Sequence, residues 1–162
     1  MAVDLEYRLS GGAANSDPIL SIGGAMSSVE ATGSTLFDAV SSAEAAAGDT
    51  EYRCVYIYNN GATEATSISL WIYAQTPSAD TIIAIALGGE GEGGTAETPA
   101  NENTAPSGES FSSPSSAGAG LSVGNLANGE RYPIWIRRTV SAAAAGVSSD
   151  TFTLRCTYDY IP

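Results

Sequence analysis

The chain has 162 residues, a length that fits one domain able to bury a core without disulfides or metals as staples. It contains no histidine, its six basic residues are all arginine, and 18 acids bring the net charge to −12. The missing His and Lys remove the usual general base near neutral pH, the commonest nitrogen metal ligand and the Schiff-base amine. The charge repels phosphate backbones and anionic lipid, so neither nucleic acid nor membrane is expected as a partner.

At the start of the chain, Val3, Leu5, Tyr7 and Leu9 alternate with Asp4, Glu6 and Arg8, the pattern of a half-buried strand, which Gly11-Gly12 ends. No basic leader precedes an apolar stretch there, and no run approaches the roughly 18 to 20 apolar residues of a membrane span. The chain therefore reads as one made or assembled in a cytoplasm. Residues 10 to 35, rich in Gly, Ala and Ser, read as an arm or long connection with one short strand at Pro18 to Ile22. Ser41-Ser42-Ala43-Glu44 is a capping box that predicts one or two helical turns through Ala47, stopped at Gly48.

From Glu51 the period becomes two. Tyr52, Cys54, Tyr56 and Tyr58 share one phase and Val55 and Ile57 the other, which predicts a strand buried on both sides and closed by Asn59-Asn60-Gly61. Ile68, Leu70, Ile72 and Ala74 then alternate with Ser67, Ser69, Trp71 and Tyr73. After a polar turn over Thr76 to Asp80, the aliphatic run Thr81 to Leu87 reads as a central strand. Residues 88 to 120 hold eight glycines and acidic clusters around Glu90, Glu92, Glu97 and Glu102, with no period. A connection so far beyond the ~12 to 15 residues usual in a compact domain is expected to be mobile or functional, with too little apolar area to order itself. Strands resume at Gly120 to Val123, pass the Asn128-Gly129 turn, and continue over Tyr132 to Val140. The last has Phe152, Leu154, Cys156 and Tyr158 inward and Thr151, Thr153, Arg155, Thr157 and Asp159 outward.

About seven strands with almost no helix predict an all-β chain, an antiparallel immunoglobulin-like β-sandwich with long Gly/Ser-rich arms or loops; barrel closure is the rival. The expected organisation is a single domain over 1–162. An N-terminal strand and arm occupy 1–50, the sandwich core 51–87 and 121–162, and a long acidic Gly/Pro/Ser-rich loop 88–120.

Catalytic and cofactor motifs fail on inspection. Gly89, Gly91 and Gly94 spell GxGxxG, but Glu90 and Glu92 would repel a pyrophosphate and no helix follows. Gly120-Leu121-Ser122-Val123-Gly124 spells a nucleophile elbow, yet its triad needs a histidine. The acidic loop could collect a hard cation but lacks the register of a calcium loop, so a solvated loop is the expectation. An acid-pair hydrolase stays open in principle, with no carboxylate pair to nominate. Cys54 and Cys156 share phase with apolar neighbours and could lie close across the sandwich, as two reduced thiols or as a disulfide; without a leader, thiols are preferred. Trp71 and Tyr73 share a strand face and Trp135 is in phase with Arg137, the aromatic-plus-arginine composition of interface anchors. The chain's own long segments folding over them is the competing reading.

Glu6-Tyr7-Arg8-Leu9-Ser10-Gly11-Gly12, Leu36-Phe37-Asp38, Ala45 to Cys54, Ala100 to Pro106, Trp135 to Thr139 and Asp150 to Arg155 together resemble a group of tailed-phage virion structural proteins. The resemblance implies a non-enzymatic capsid decoration or cement protein without cofactors, on the virion's capsid surface and assembled in the bacterial host cytoplasm. Its implied partners are the major capsid protein and copies of itself. Arg137 and Arg138 would then pair with capsid acids, and Trp71, Tyr73 and Trp135 would be the anchors. Other positions the resemblance allows are tail, baseplate or head-tail connection; a glycan-binding host-recognition module is the alternative the aromatics suggest.

Overall fold

The structure, a computed structural model, describes residues 2–33, 35–147 and 150–160, so the outer limits of the expected domain, 1 and 162, lie outside the described residues. Seven strands form: β1 (Leu5–Leu9), β2 (Asp49–Asn59), β3 (Ala65–Ala74), β4 (Thr81–Leu87), β5 (Leu121–Leu126), β6 (Arg131–Val140) and β7 (Thr153–Asp159). They make two antiparallel sheets, one of four strands in the order β1-β2-β6-β4 and one of three in the order β5-β3-β7. A constant-type immunoglobulin domain has the same four-plus-three division, with strands 1-2-5-4 in one sheet and 3-6-7 in the other. Here β6 stands where the fifth strand would, and β3 is the centre of the smaller sheet.

The one α-helix among the described residues, α1 (Ser42–Ala47), starts as the capping box requires. The Ser41 hydroxyl accepts from the Glu44 amide at 3.3 Å and the Glu44 carboxylate accepts from the Ser41 amide at 2.6 Å. The expected strand at Pro18 to Ile22 is instead a 3-10 turn over Pro18–Leu20, capped by the Asp17 carboxylate at the Ile19 amide. An Asp-Pro pair favours this turn, since Asp caps and Pro presets φ at the first position.

The core lies between the sheets. Val55, Ile57, Ile83, Ile85, Ile134 and Ile136 of the larger sheet pack with Ile68, Leu70, Ile72, Val123 and Leu126 of the smaller. The opposite face of the larger sheet is also dry, because Cys54, Tyr56, Ala86 and Trp135 are covered by Ala96, Met26 and Phe111. Both faces of β2 are thus buried, as its double apolar phase predicts.

The cover on that second face comes from the segments expected to be arm and loop. The Tyr56 hydroxyl donates to the Gly24 carbonyl at 2.6 Å and accepts from the Ala96 amide at 2.8 Å, so one side chain ties both segments to the sheet. The segments also meet each other at Gly24, whose amide donates to Ala96 and Glu97, and at Gly23 (φ +94), where a Cβ would collide with the Glu97 carbonyl oxygen. Acidic side chains hold the second segment together. Glu90 and Glu109 accept from the backbone amides of Glu97 and Gly89, each at 2.7 Å, and Glu97 accepts from Ser107. Of the acids read as a solvated surface, Glu90 and Glu97 thus also accept from backbone amides while remaining at the surface.

These segments also cap the larger sheet's edges. Along β1, the amides of Leu9 and Ala31 bond to the carbonyls of Val29 and Tyr7, and the Ser27 amide to Leu9. Along β4, Ile85 exchanges both backbone bonds with Ser112, and the Gln75 side-chain amide bonds both the N–H and the carbonyl of Ile83. Covering an edge in this way removes a template for unwanted strand pairing.

Candidate functional site

The five residues singled out from the sequence fall in three places. Trp135 is fully buried on the covered face of the larger sheet, with its indole N–H unbonded. Arg137 lies on the same face, its guanidinium 5.0 Å from the centre of the Phe111 ring. The chain's own segment thus covers Trp135 and Arg137, the self-covering alternative to their meeting a partner. The reason is register: Cys54 pairs with Trp135 and Tyr52 with Arg137, so these side chains stand together on the face that residues 88 to 111 close.

Arg138 points the other way, into an ionic cluster at one end of the inter-sheet core. It donates to the Asp38 carbonyl at 2.7 Å and pairs with the carboxylates of Asp38, at 3.4 Å, and Glu51. Arg53, with no solvent exposure, donates to the Leu36 carbonyl at 2.8 Å, the Tyr52 carbonyl at 3.1 Å and the Glu102 carboxylate at 2.5 Å. Both guanidinium carbons lie near the Phe37 ring, 5.2 Å for Arg53 and 4.8 Å for Arg138. Burial pushes the Glu51 carboxyl up to about 7, against the pull of Arg138 and then Arg53. Sequence reading could nominate no carboxylate pair, yet the fold brings oxygens of Asp38, Glu51 and Glu102 within 4.8 Å of one another. Two arginines offset these three acids, leaving the cluster one negative charge from neutral. That composition makes a tie between the 35–38 segment, the 100–104 turn and the strand pair β2/β6 rather than an open cation site.

Trp71 and Tyr73 remain, with one residue the sequence reading called outward but did not single out. Trp71 stands opposite Arg155 in the β3–β7 register and is 9% exposed. Tyr73 is 54% exposed, and the Arg155 guanidinium stacks on its ring at 3.3 Å. The pairing was not legible because a register shift between Ile72 and Ala74 carries Tyr73 off the simple alternation. Ser69 and Thr157 are paired in register on the same outer face, and Tyr158 in β7 and Tyr160 just after it are exposed.

The two best-formed concavities among the described residues are open depressions. One of about 400 Å³ lies between α1 and Ala143–Ala144, and one of about 300 Å³ is lined by Arg8, Met26 and Tyr58. Neither gathers the perturbed titratable groups of an active site. The cysteines are free: Cys54 faces the covered side of the larger sheet, whereas Cys156 packs on the inter-sheet core, so they do not meet across the sandwich as expected. Among the described residues no helix is long and apolar enough to cross a membrane. Compared with known proteins, the chain matches no family model, no curated protein and no solved structure.

Proposed function

We propose that this chain is a non-enzymatic structural protein of a tailed-phage virion, a decoration or cement protein that binds the outside of the head and stabilises it. Its fold is, in this reading, an immunoglobulin-like sandwich in which β6 takes the fifth strand's place in the larger sheet and β3 takes the centre of the smaller. The stretches that resemble virion proteins supply the setting. The observation that carries the mode of action is the outer face of β3 and β7, where exposed Tyr73 is joined to Arg155. A planar aromatic with an arginine suits contact with another protein surface. Repetition by the symmetry of a head would multiply such small contacts into firm attachment. Arg138 is engaged within the chain, so the aromatic Tyr73 rather than Arg138 carries the proposed contact.

A glycan platform is the second reading: the Arg155 guanidinium takes one face of the exposed Tyr73 ring, so a sugar would have the other face alone to stack on. The test is a density map of purified particles together with incorporation of Tyr73→Ala. The expected result is many copies on the head, with incorporation of the variant lowered about tenfold or more, as for an interface aromatic worth ~2 kcal/mol. Density on the tail alone would move the protein to a tail or baseplate position. Its absence from particles, with glycan retention lost in the variant, would replace the virion reading.

A further inference from the structure

Among the described residues, β7 presents the longest regular strand edge with no backbone partner. β1 and β4 are capped by the chain's own segments, and β5 is short, with a register shift between Gly124 and Ser122. β7 runs unbroken from Thr153 to Asp159, since the irregularities of its pairing lie in β3, and among the described residues no backbone bond from a turn or loop reaches it. It has neither proline nor lysine nor a bulge, and the charges it carries, Arg155 and Asp159, are of opposite sign.

We propose that this edge pairs antiparallel with β7 of a second copy, about a two-fold axis at Thr157, joining two three-stranded sheets into one. The side chains argue for the second copy as the occupant, because the edge is complementary to itself. Centred on Thr157, an antiparallel pair sets Arg155 opposite Asp159 of the second copy, and Asp159 opposite the second copy's Arg155. Neither residue has an ion pair within its own chain among the described residues, and both lie on the outward phase of the strand. On the other phase, Leu154 falls opposite Tyr160 and Cys156 opposite Tyr158, which would cover two exposed tyrosines with apolar neighbours. Opposite charges and aromatic–aliphatic pairs directly across a ladder are the contacts that fix its register. A shift that centres the pair on Cys156 instead sets Arg155 against Thr157 and loses the direct charge pairing. Because the interface is isologous it closes on itself as a dimer and does not propagate. The inference stands on the free chain and is independent of where in a particle the protein sits.

Sedimentation of the purified protein over a concentration series tests it. The wild type is expected to dimerise reversibly, Arg155→Asp and Asp159→Arg each to weaken the dimer about tenfold or more, and the double exchange Arg155→Asp/Asp159→Arg to restore it. Thermal melts of each variant identify loss of fold, and a second measurement does not depend on the charges. Thr157→Cys in a Cys156→Ser background should cross-link two chains on mild oxidation, whereas Arg155→Cys in the same background should not. A wild type that stays monomeric, folded single variants that dimerise like the wild type, or cross-linking equal at both positions would overturn the proposal.

Discussion

A guanidinium without solvent exposure is costly to place, and Arg53 shows how the chain meets that cost. Arg53 shares the strand phase of Val55 and Ile57, so alternation alone sends it into the core together with Glu51. The charge is sustained by two backbone carbonyls and Glu102, groups separated from it by up to 49 positions in the chain. Glu51 gives this cluster a pH signature. Its carboxyl ordinarily titrates at 4.5 and is raised to about 7 in the fold by burial, so the folded state holds the proton more tightly than the unfolded chain. Its contribution to stability is complete below about 4.5 and is lost as pH rises to about 7, on the order of 3 kcal/mol across that window. Denaturant unfolding of wild type and Glu51→Gln at several pH values checks this: the variant should lose that slope, and equal slopes would contradict it. Trp71 and Tyr73 separate in a similar way. Trp71→Ala removes a 9% exposed ring and should lower stability by about 3 kcal/mol. Tyr73→Ala, which loses an exposed stack on Arg155, should cost about 1 kcal/mol at most in the same unfolding experiment.

At the scale of elements, the segments around the sheets behave as a third layer. Residues 10–35 and 88–120 read from the sequence as an arm or long connection and as a mobile or functional loop because neither shows a hydrophobic period, and periodicity is the signal by which an element announces itself. What orders them is not a period of their own. They borrow it from the sheet, through Tyr56, Trp135 and the free amides of β2, where Cys54 donates to the Ser21 carbonyl and Tyr52 to the Glu102 carbonyl, both at 2.7 Å. Limited proteolysis of the free protein should therefore leave 88–120 as resistant as the strands, since cutting requires opening of the layer. Gly23→Ala, which forces a side chain against Glu97 where the two segments cross, should destabilise by about 1–3 kcal/mol and open that region to protease. Cleavage of the wild type within 88–120 as fast as an unfolded control would sink the layered description.

For the whole molecule, a net charge of −12 rests on few cations, and most of these turn inward or lie along the chain's own aromatics. Arg8 is spent on Glu6, Arg53 on Glu102 and Arg138 on Glu51 and Asp38. Residue types and local order determined much of this protein by themselves. The strict alternation of Leu5 to Leu9, the double apolar phase of β2, the aliphatic run of β4, the capping box of α1 and the turn at Asn128-Gly129 are each written within a few neighbouring positions, because strand pleat, helix cap and turn are short-range geometry. Tertiary structure alone decided which face each strand presents to what. Trp135 and Arg137 carry the same local pattern as Trp71 and Tyr73, but one pair lies under the 88–111 segment and the other leaves Tyr73 open beside Arg155. The grouping of Asp38, Glu51, Arg53, Glu102 and Arg138, the separation of Cys54 from Cys156 and the sheet orders follow from long-range strand register and from which segment closes which surface. Those pairings join residues far apart in the chain, and their choice depends on burial summed over both partners, a quantity that no local stretch of sequence contains.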